Sequence, residues 1–232
     1  MGPLPRLRQA VIAARDLDAV AGQLRAHLGL AEPYSDPGVE VFGLRNAVFA
    51  LDDTFLEIVS PTRADAAAAR LLARRGGDTG YMLMFQVEDL DAARRRAGEA
   101  DVREVLDISL DDIAEVHLHP ADMRGAIVSL SRPQPPQAWR WGGPGWAERR
   151  APLRLAGATI AVSQPVIVGD RWQTVLGAEL FEVGIRVSAD ELEPGLTEIM
   201  LGAEEWREPL AIGGVRFVFE GAAASQTEGG TK

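Results

Sequence analysis

The sequence of 232 residues contains no cysteine, which excludes disulfide bonds, thiolate metal sites and cysteine nucleophiles. Aromatic residues make up only 6% of the chain, and no apolar run approaches the ~20 residues that a membrane-spanning helix needs. The first residues also lack the apolar segment of a secretory signal peptide. We therefore expect a cytoplasmic protein that does not bind a membrane.

The chain has fewer basic than acidic residues, with 24 Lys and Arg against 34 Asp and Glu, which gives a net charge of −10. A nucleic acid or an anionic membrane would require a basic surface, so neither is expected as a partner. The composition is otherwise ordinary for a globular protein, at 47% hydrophobic and 25% charged residues. The length is enough for one large domain or two small ones.

A short motif occurs twice and predicts a repeated structural unit. Residues 14–19 read Ala-Arg-Asp-Leu-Asp-Ala, and residues 87–92 read Val-Glu-Asp-Leu-Asp-Ala. Each copy follows an apolar strand-like segment and precedes apolar residues at helical spacing. Asp16 and Asp89 are of the type that caps a helix N-terminus through the side-chain oxygen. Each copy therefore predicts a strand followed by a helix.

Further strand-like segments follow each helix, so the fold class is α+β, built from repeated βαβββ modules. The predicted strands are residues 39–44, 47–51 and 54–59 in the first module, 103–108, 113–119 and 125–131 in the second, and 158–163, 181–187, 196–201 and 215–219 in a third. Residues 63–75 predict a connecting helix.

The chain divides into four parts. Residues 1–132 hold the first two modules, 133–153 form a linker, 154–221 form the third module and 222–232 form a flexible tail. The linker is rich in proline, glycine and tryptophan. Tryptophans in a linker indicate packing against a domain, although ligand stacking is an alternative.

Alternation along the strands separates two faces of the first two modules. One face is aliphatic and suits the helices. The other face collects the polar residues Gln9, Glu57, Gln86, Glu115, His117, His119, Ser129 and Ser131. This second face is either exposed to water, as in many antiparallel sheets, or lines a pocket for a small molecule.

Three motifs together resemble the vicinal oxygen chelate superfamily, which includes glyoxalase I, bleomycin-resistance proteins, extradiol dioxygenases and methylmalonyl-CoA epimerase. They are the repeated Asp-Leu-Asp-Ala unit, Phe-Leu-Glu-Ile-Val-Ser-Pro at 55–61, and His-Pro-Ala-Asp-Met-Arg-Gly-Ala-Ile-Val at 119–128. The His-Pro-x-x-x-x-Gly turn is most similar to the epimerase branch. The resemblance covers residues 6–131 well and 154–220 loosely.

The resemblance implies that the first two modules pair into one cupped sheet with a divalent metal between them. At the four ligand positions, where the family has His, Glu or Gln, His and Glu, this chain has Gln9, Glu57, Met82 and Ser129. A thioether and a serine hydroxyl are poor ligands for such ions. We therefore expect a degenerate metal site and no cofactor. Weak divalent binding at Gln9, Glu57 and His117 is the alternative.

Two functions follow from the resemblance. In the first, the chain is an isomerase or lyase acting on a small carbonyl or acyl compound, with Glu57 as general base and His117 as its partner acid. In the second, it is a non-catalytic binding protein of the bleomycin-resistance type, and Glu57 and His117 satisfy each other or water. The ligand-binding residues expected in either case are Gln9, Phe55, Met82, Met84, Arg124 and Ser129.

The third module has no mate within the chain if the first two pair with each other. An open βαβββ sheet exposes an apolar face and an edge. We therefore expect a homodimer in which two third modules pair about a two-fold axis. The alternative is a third module that packs on its own chain as a lid.

Overall fold

The computed structural model describes residues 2–190, 194–205 and 207–221, and the predicted tail at 222–232 lies outside them. The helices are α1 (Leu17–Leu28), α2 (Ala67–Arg75), α3 (Leu90–Glu99), α4 (Pro120–Met123) and α5 (Pro165–Leu176). The strands are β1 (Arg6–Ala13), β2 (Leu44–Leu51), β3 (Thr54–Pro61), β4 (Thr79–Gln86), β5 (Glu104–Ser109), β6 (Ile113–Leu118), β7 (Ile127–Pro133), β8 (Arg154–Val162), β9 (Ile185–Ala189), β10 (Gly195–Gly202), β11 (Leu210–Ile212) and β12 (Val215–Glu220). None of these helices is long and apolar enough to span a membrane.

The first two modules form one seven-stranded sheet in the order β2-β3-β1-β4-β7-β6-β5. Its centre is the antiparallel pair β1 and β4, in which Gln9 lies opposite Met84. In each module the first strand also pairs in parallel with the last, β1 with β3 and β4 with β7. The α+β class and the pairing of two modules in one sheet are confirmed.

The two repeated motifs form the helix starts that the sequence predicts. The Asp16 side chain accepts a hydrogen bond from the Ala19 amide at 3.0 Å, and Asp89 accepts one from Ala92 at 2.9 Å. Each bond satisfies a backbone donor that the first turn of a helix leaves free. Helix α1 ends at Gly29, whose left-handed backbone (φ 70°) suits a residue without a Cβ atom.

The strand predicted at residues 39–44 is wrong. Residues Pro37–Phe42 form a 3-10 helix instead, started by Asp36, whose side chain accepts a hydrogen bond from the Gly38 amide at 2.8 Å. Proline fixes the backbone angle φ near the value that a helical turn requires, and the aspartate cap stabilises that turn. Val41, one of the apolar residues behind the strand prediction, is 74% exposed.

The predicted division into two faces is confirmed by two separate apolar clusters on the larger sheet. The aliphatic face includes Ala10, Ile12, Leu56, Ile58 and Leu83, together with the buried residues of α1 and α3. The opposite face contributes its own cluster of Val11, Phe55, Val59, Met82 and Met84. The alternation of side chains along a strand is therefore enough to assign these positions.

The third module forms a five-stranded sheet, ordered β11-β12-β10-β8-β9, that packs on the aliphatic face of the larger sheet. Strand β10 lies against β4, and β8 lies against β1 and β3. The Phe85 and Trp172 rings meet edge to face at 6.2 Å, and the indole N–H of Trp172 donates to the Met123 carbonyl at 2.8 Å. The third module thus has a packing surface on its own chain. The homodimer remains a prediction.

The contact between β4 and β10 requires a glycine at position 80. A Cβ atom there would lie 2.3 Å from the backbone oxygen of Leu196. We expect Gly80→Ala to lower the free energy of unfolding by about 1–3 kcal/mol, because the two sheets must separate. Urea denaturation measures this.

The matched control is Gly98→Ala on α3, where a Cβ would have no heavy atom within 4 Å. We expect this control to raise stability by up to ~1 kcal/mol, since alanine favours a helix over glycine. Equal stability of the Gly80→Ala protein and the wild type would contradict the described packing of the two sheets.

Candidate functional site

The face of the larger sheet that points away from the third module carries most of the predicted site residues, and we call it the site face. Strand register arranges its residues in two neighbouring rows. One row contains Ala50, Phe55, Gln9, Met84, Ser129 and His117. The other contains Val48, Glu57, Val11, Met82 and Ile127.

Glu57 is a buried carboxyl group of this face, with 7% of its surface exposed. Its Oε2 accepts a hydrogen bond from Gln9 Nε2 and its Oε1 accepts one from Asn46 Nδ2, both at 2.7 Å. Burial raises the pKa of Glu57 from 4.5 to about 7, although the two amide donors act in the opposite direction. The result is a carboxyl group that changes charge near neutral pH.

Two residues that the sequence analysis did not select determine the geometry around Glu57. Asn46 on β2 supplies the second amide donor, and its polarity within an apolar strand was the available signal. Trp139 donates its indole N–H to Gln9 Oε1 at 2.7 Å. This bond fixes the orientation of the Gln9 amide, so that its N–H group faces Glu57.

The linker covers the site face. Trp139 is only 1% exposed and stacks with Phe55, with ring centroids 6.2 Å apart and planes 19° apart. Trp146 meets the same Phe55 ring edge to face at 5.2 Å. Gly142 lies so close to Phe55 that an added Cβ would be 2.3 Å from the ring. The linker tryptophans therefore shield Phe55 and Gln9 from solvent.

His117 pairs with Glu115 rather than with Glu57. The distance from His117 Nε2 to Glu115 Oε1 is 2.5 Å, and Glu115 Oε2 also accepts from Ser131 Oγ and from the Trp141 indole. Three strands separate β3 from β6 in the sheet order, but Glu115 is still close enough to Glu57 for its charge to help raise the Glu57 pKa. The structure therefore joins Glu57 to Gln9 by a hydrogen bond and gives His117 a different partner, Glu115, on the same face.

The remaining predicted ligand-binding residues fall into two groups. Met82, Met84 and Ser129 are buried on the site face, and the Ser129 hydroxyl has no hydrogen-bond partner among the described residues. Arg124, in contrast, is exposed and donates to Gln164 Oε1 of the third module at 2.9 Å. Arg124 therefore contacts the third module and does not lie with the buried residues of the site face.

Arg8 is a charged residue of this site that the sequence analysis missed. Strict alternation along β1 would place Arg8 on the other face of the sheet from Gln9. The pairing of β1 with β4 is irregular between Leu7 and Gln9, however, and this irregularity interrupts the alternation. Its guanidinium lies 5.0 Å from the Trp139 ring and 5.8 Å from the Phe55 ring, and its exposure is 0%. Burial lowers the pKa of Arg8 to about 10.

Gln9, Glu57, Met82 and Ser129 occupy the four positions that hold a metal in the superfamily that this sequence resembles. These four residues do not suit a divalent cation. Both Glu57 oxygens accept amide hydrogen bonds, and the Gln9 oxygen accepts the Trp139 indole. Met82 and Ser129 offer a thioether and a hydroxyl in place of imidazole and carboxylate. Within the described ranges, no group of three or more His, Asp or Glu side chains is placed to hold an ion.

A family model described as a glyoxalase-like domain matches residues 10–176. The chain therefore belongs to the glyoxalase-like domain family, as the sequence motifs predict. The match includes the linker and continues to the end of α5, so the segment that covers the site face is part of the family domain.

Among individual relatives, the chain is 31% identical over 134 residues to an ethylmalonyl-CoA/methylmalonyl-CoA epimerase of Cereibacter sphaeroides, covering 55% of this chain and 97% of the relative. A methylmalonyl-CoA epimerase structure with methylmalonyl-CoA and NH4+ shows 26% identity and a TM-score of 0.50, covering 56% of this chain and 96% of the other. The Mycobacterium tuberculosis methylmalonyl-CoA epimerase gives 26% and 0.50, covering 57% and 93%. The predicted similarity to the epimerase branch is confirmed.

Proposed function

We propose that this chain is an isomerase that moves a proton at the carbon next to an acyl or carbonyl group, with Glu57 as the base. The observation that carries the proposal is the environment of Glu57. Its carboxyl group is buried, both oxygens are held by neutral amide donors, and its pKa is raised to about 7. The epimerases among its relatives, one of them solved with methylmalonyl-CoA, support an acyl thioester as the substrate.

Ionised Glu57 takes the proton from the α carbon, so that the C–H bond breaks and an O–H bond forms on the carboxylate. The electron pair of the C–H bond moves toward the carbonyl oxygen and gives an enolate. Return of that proton from Glu57 to the same face restores the substrate. A proton from a second acid on the opposite face gives the epimer, and Glu57 then releases its own proton to solvent. A base with a pKa near the working pH suits both directions of this transfer. Gln9 and Asn46 hold the carboxylate in place between the two steps.

His117 has a different part in this proposal. Its ring nitrogen is bonded to Glu115, whereas the Glu57 oxygens are bonded to Gln9 and Asn46. We propose that His117, held by Glu115, contacts another part of the ligand. The Ser129 hydroxyl, buried and without a partner among the described residues, is a donor available to a ligand oxygen.

Entry of a ligand requires the linker to move. Gln9 and Phe55 are buried beneath Trp139, so a substrate reaches Glu57 only after this segment opens.

The experiment is solvent exchange of the α proton. Methylmalonyl-CoA is incubated with the protein in deuterium oxide, and deuterium incorporation is followed by mass spectrometry. We expect Glu57→Gln to slow incorporation by about 100-fold or more, because an amide does not accept the proton. The matched control is Glu182→Gln, the same change at an exposed position, which should exchange at the wild-type rate. Equal rates in the Glu57→Gln and wild-type proteins would contradict the proposal.

The aromatic cover of the site face favours a second candidate, a binding protein for an aromatic or amphipathic compound. Trp139, Trp146 and Phe55 form a stack that such a compound could replace. This candidate requires tight binding that is the same in the wild-type and Glu57→Gln proteins, with no α-proton exchange in either.

A further inference from the structure

Arg8 is a fully buried cation whose hydrogen-bond acceptors are all neutral. One terminal nitrogen donates to Gln86 Oε1, and the other donates to the Gln137 carbonyl at 3.1 Å. Its Nε has no partner among the described residues. The neighbouring Arg6 is different, because it forms an ion pair with Asp53 at 2.5 Å.

A guanidinium in this position favours a negative partner. Removing a charge from water is costly unless an opposite charge or a full set of hydrogen bonds replaces the solvent. A carboxylate matches the fork of a guanidinium with two parallel hydrogen bonds. Among the described residues, Arg8 has no hydrogen bond to a carboxylate and no acceptor for Nε. The charge of Asp53 acts on Arg8 without a hydrogen bond to it, and the charge of Arg6 acts in the opposite direction.

The acceptors that Arg8 now uses belong partly to the covering linker. Gln86 Nε2 donates to the Pro136 carbonyl at 2.6 Å, next to the Gln137 carbonyl that Arg8 holds. Trp139 lies over the guanidinium and also binds Gln9, which binds Glu57. When the linker moves, Arg8 loses an acceptor at the same moment that the site of Glu57 opens.

We propose that Arg8 is the anion-binding residue of the site face, and that it binds a carboxylate of the ligand in exchange for its contacts with linker residues 136–139. This inference rests on the proposed function and assigns recognition of the free carboxylate of such an acyl substrate to Arg8. In the absence of a suitable metal site, Arg8 supplies the positive charge that holds such a ligand beside Glu57.

The test measures binding of malonate, with malonamide as an uncharged probe of the same shape. Calorimetry gives the affinity, and acrylamide quenching reports exposure of the tryptophans. We expect malonate to bind, to increase quenching as Trp139 is uncovered, and to raise the melting temperature. Malonamide should do none of these. We expect Arg8→Gln to weaken malonate binding by about tenfold or more, while Arg25→Gln, at an exposed position on α1, leaves it unchanged.

Arg8→Lys keeps the proposal testable if the Arg8→Gln protein does not fold. Lysine keeps the charge but lacks the fork, so binding should weaken while malonate remains preferred over malonamide. The proposal is overturned if the wild type does not bind malonate, if malonamide binds equally well, or if malonate binds equally well to a folded Arg8→Gln protein. These results concern binding alone, whereas the proposed function fails on the α-proton exchange of the Glu57→Gln protein.

Discussion

Raising the pH from about 4.5 to about 8 is expected to destabilise the wild-type protein by about 3 kcal/mol relative to Glu57→Gln. The pKa of Glu57 is about 7 in the folded protein and has its ordinary value of 4.5 in the unfolded chain. Well below pH 4.5 both states hold the proton and the group has no effect. As the pH rises between these two values, the unfolded chain releases a proton that the folded protein keeps, so unfolding becomes easier. Between the two pKa values the free energy of unfolding falls by ~1.4 kcal/mol for each pH unit. Above about pH 7 it falls no further.

Urea denaturation of both proteins across this pH range measures the effect. The Glu57→Gln protein lacks the titrating group, so the difference in unfolding free energy between it and the wild type should grow with pH and then level off. Glu182→Gln serves as the control and should follow the wild type, because Glu182 is exposed. Wild-type and Glu57→Gln curves that stay parallel from pH 4.5 to pH 8 would show that Glu57 is not buried as described.

Trp139→Ala is expected to lower the free energy of unfolding by about 3–5 kcal/mol, the usual cost of removing a buried large aromatic side chain. Trp139 is 1% exposed, stacks on Phe55 and donates its indole N–H to Gln9. Its removal leaves a cavity over the site face and frees the Gln9 oxygen.

The same substitution should make Glu57 accessible and bring its pKa down toward 4.5.

The matched control for this substitution is Trp146→Ala. Trp146 contacts the same Phe55 ring but is only partly buried, so a smaller loss of stability is expected. Denaturation of both proteins under the same conditions makes the comparison. A cost below ~1 kcal/mol for Trp139→Ala would mean that the linker does not pack on the site face.

Local sequence signals were enough to predict much of the fold. The two Asp-Leu-Asp-Ala motifs gave the starts of α1 and α3, because an N-terminal cap depends only on residues within one turn. Strand alternation gave the two faces, since successive side chains point in opposite directions. The signal failed at Pro37–Phe42, where the apolar residues suggested a strand but the Asp-Pro-Gly sequence forms a 3-10 turn.

The candidate site was less predictable, because its decisive contacts join residues far apart in the chain. The family resemblance selected Gln9 and Glu57 as neighbours, and the structure places them in direct contact. The bond from Trp139 to Gln9 spans 130 residues and has no local signal. Arg8 was missed because the irregular pairing of β1 breaks the alternation at that position. Packing of the third module on the first sheet is likewise a tertiary contact.

The most direct test of this account is a titration of the Glu57 carboxyl group by carbon NMR, in protein labelled at the glutamate side-chain carboxyl carbon. The Glu57 resonance is assigned by its loss in the Glu57→Gln protein. The account predicts a midpoint near pH 7, because burial disfavours the ionised form of Glu57 and the charges of Asp36 and Glu115 act in the same direction. A midpoint near the ordinary glutamate value of 4.5 would contradict it.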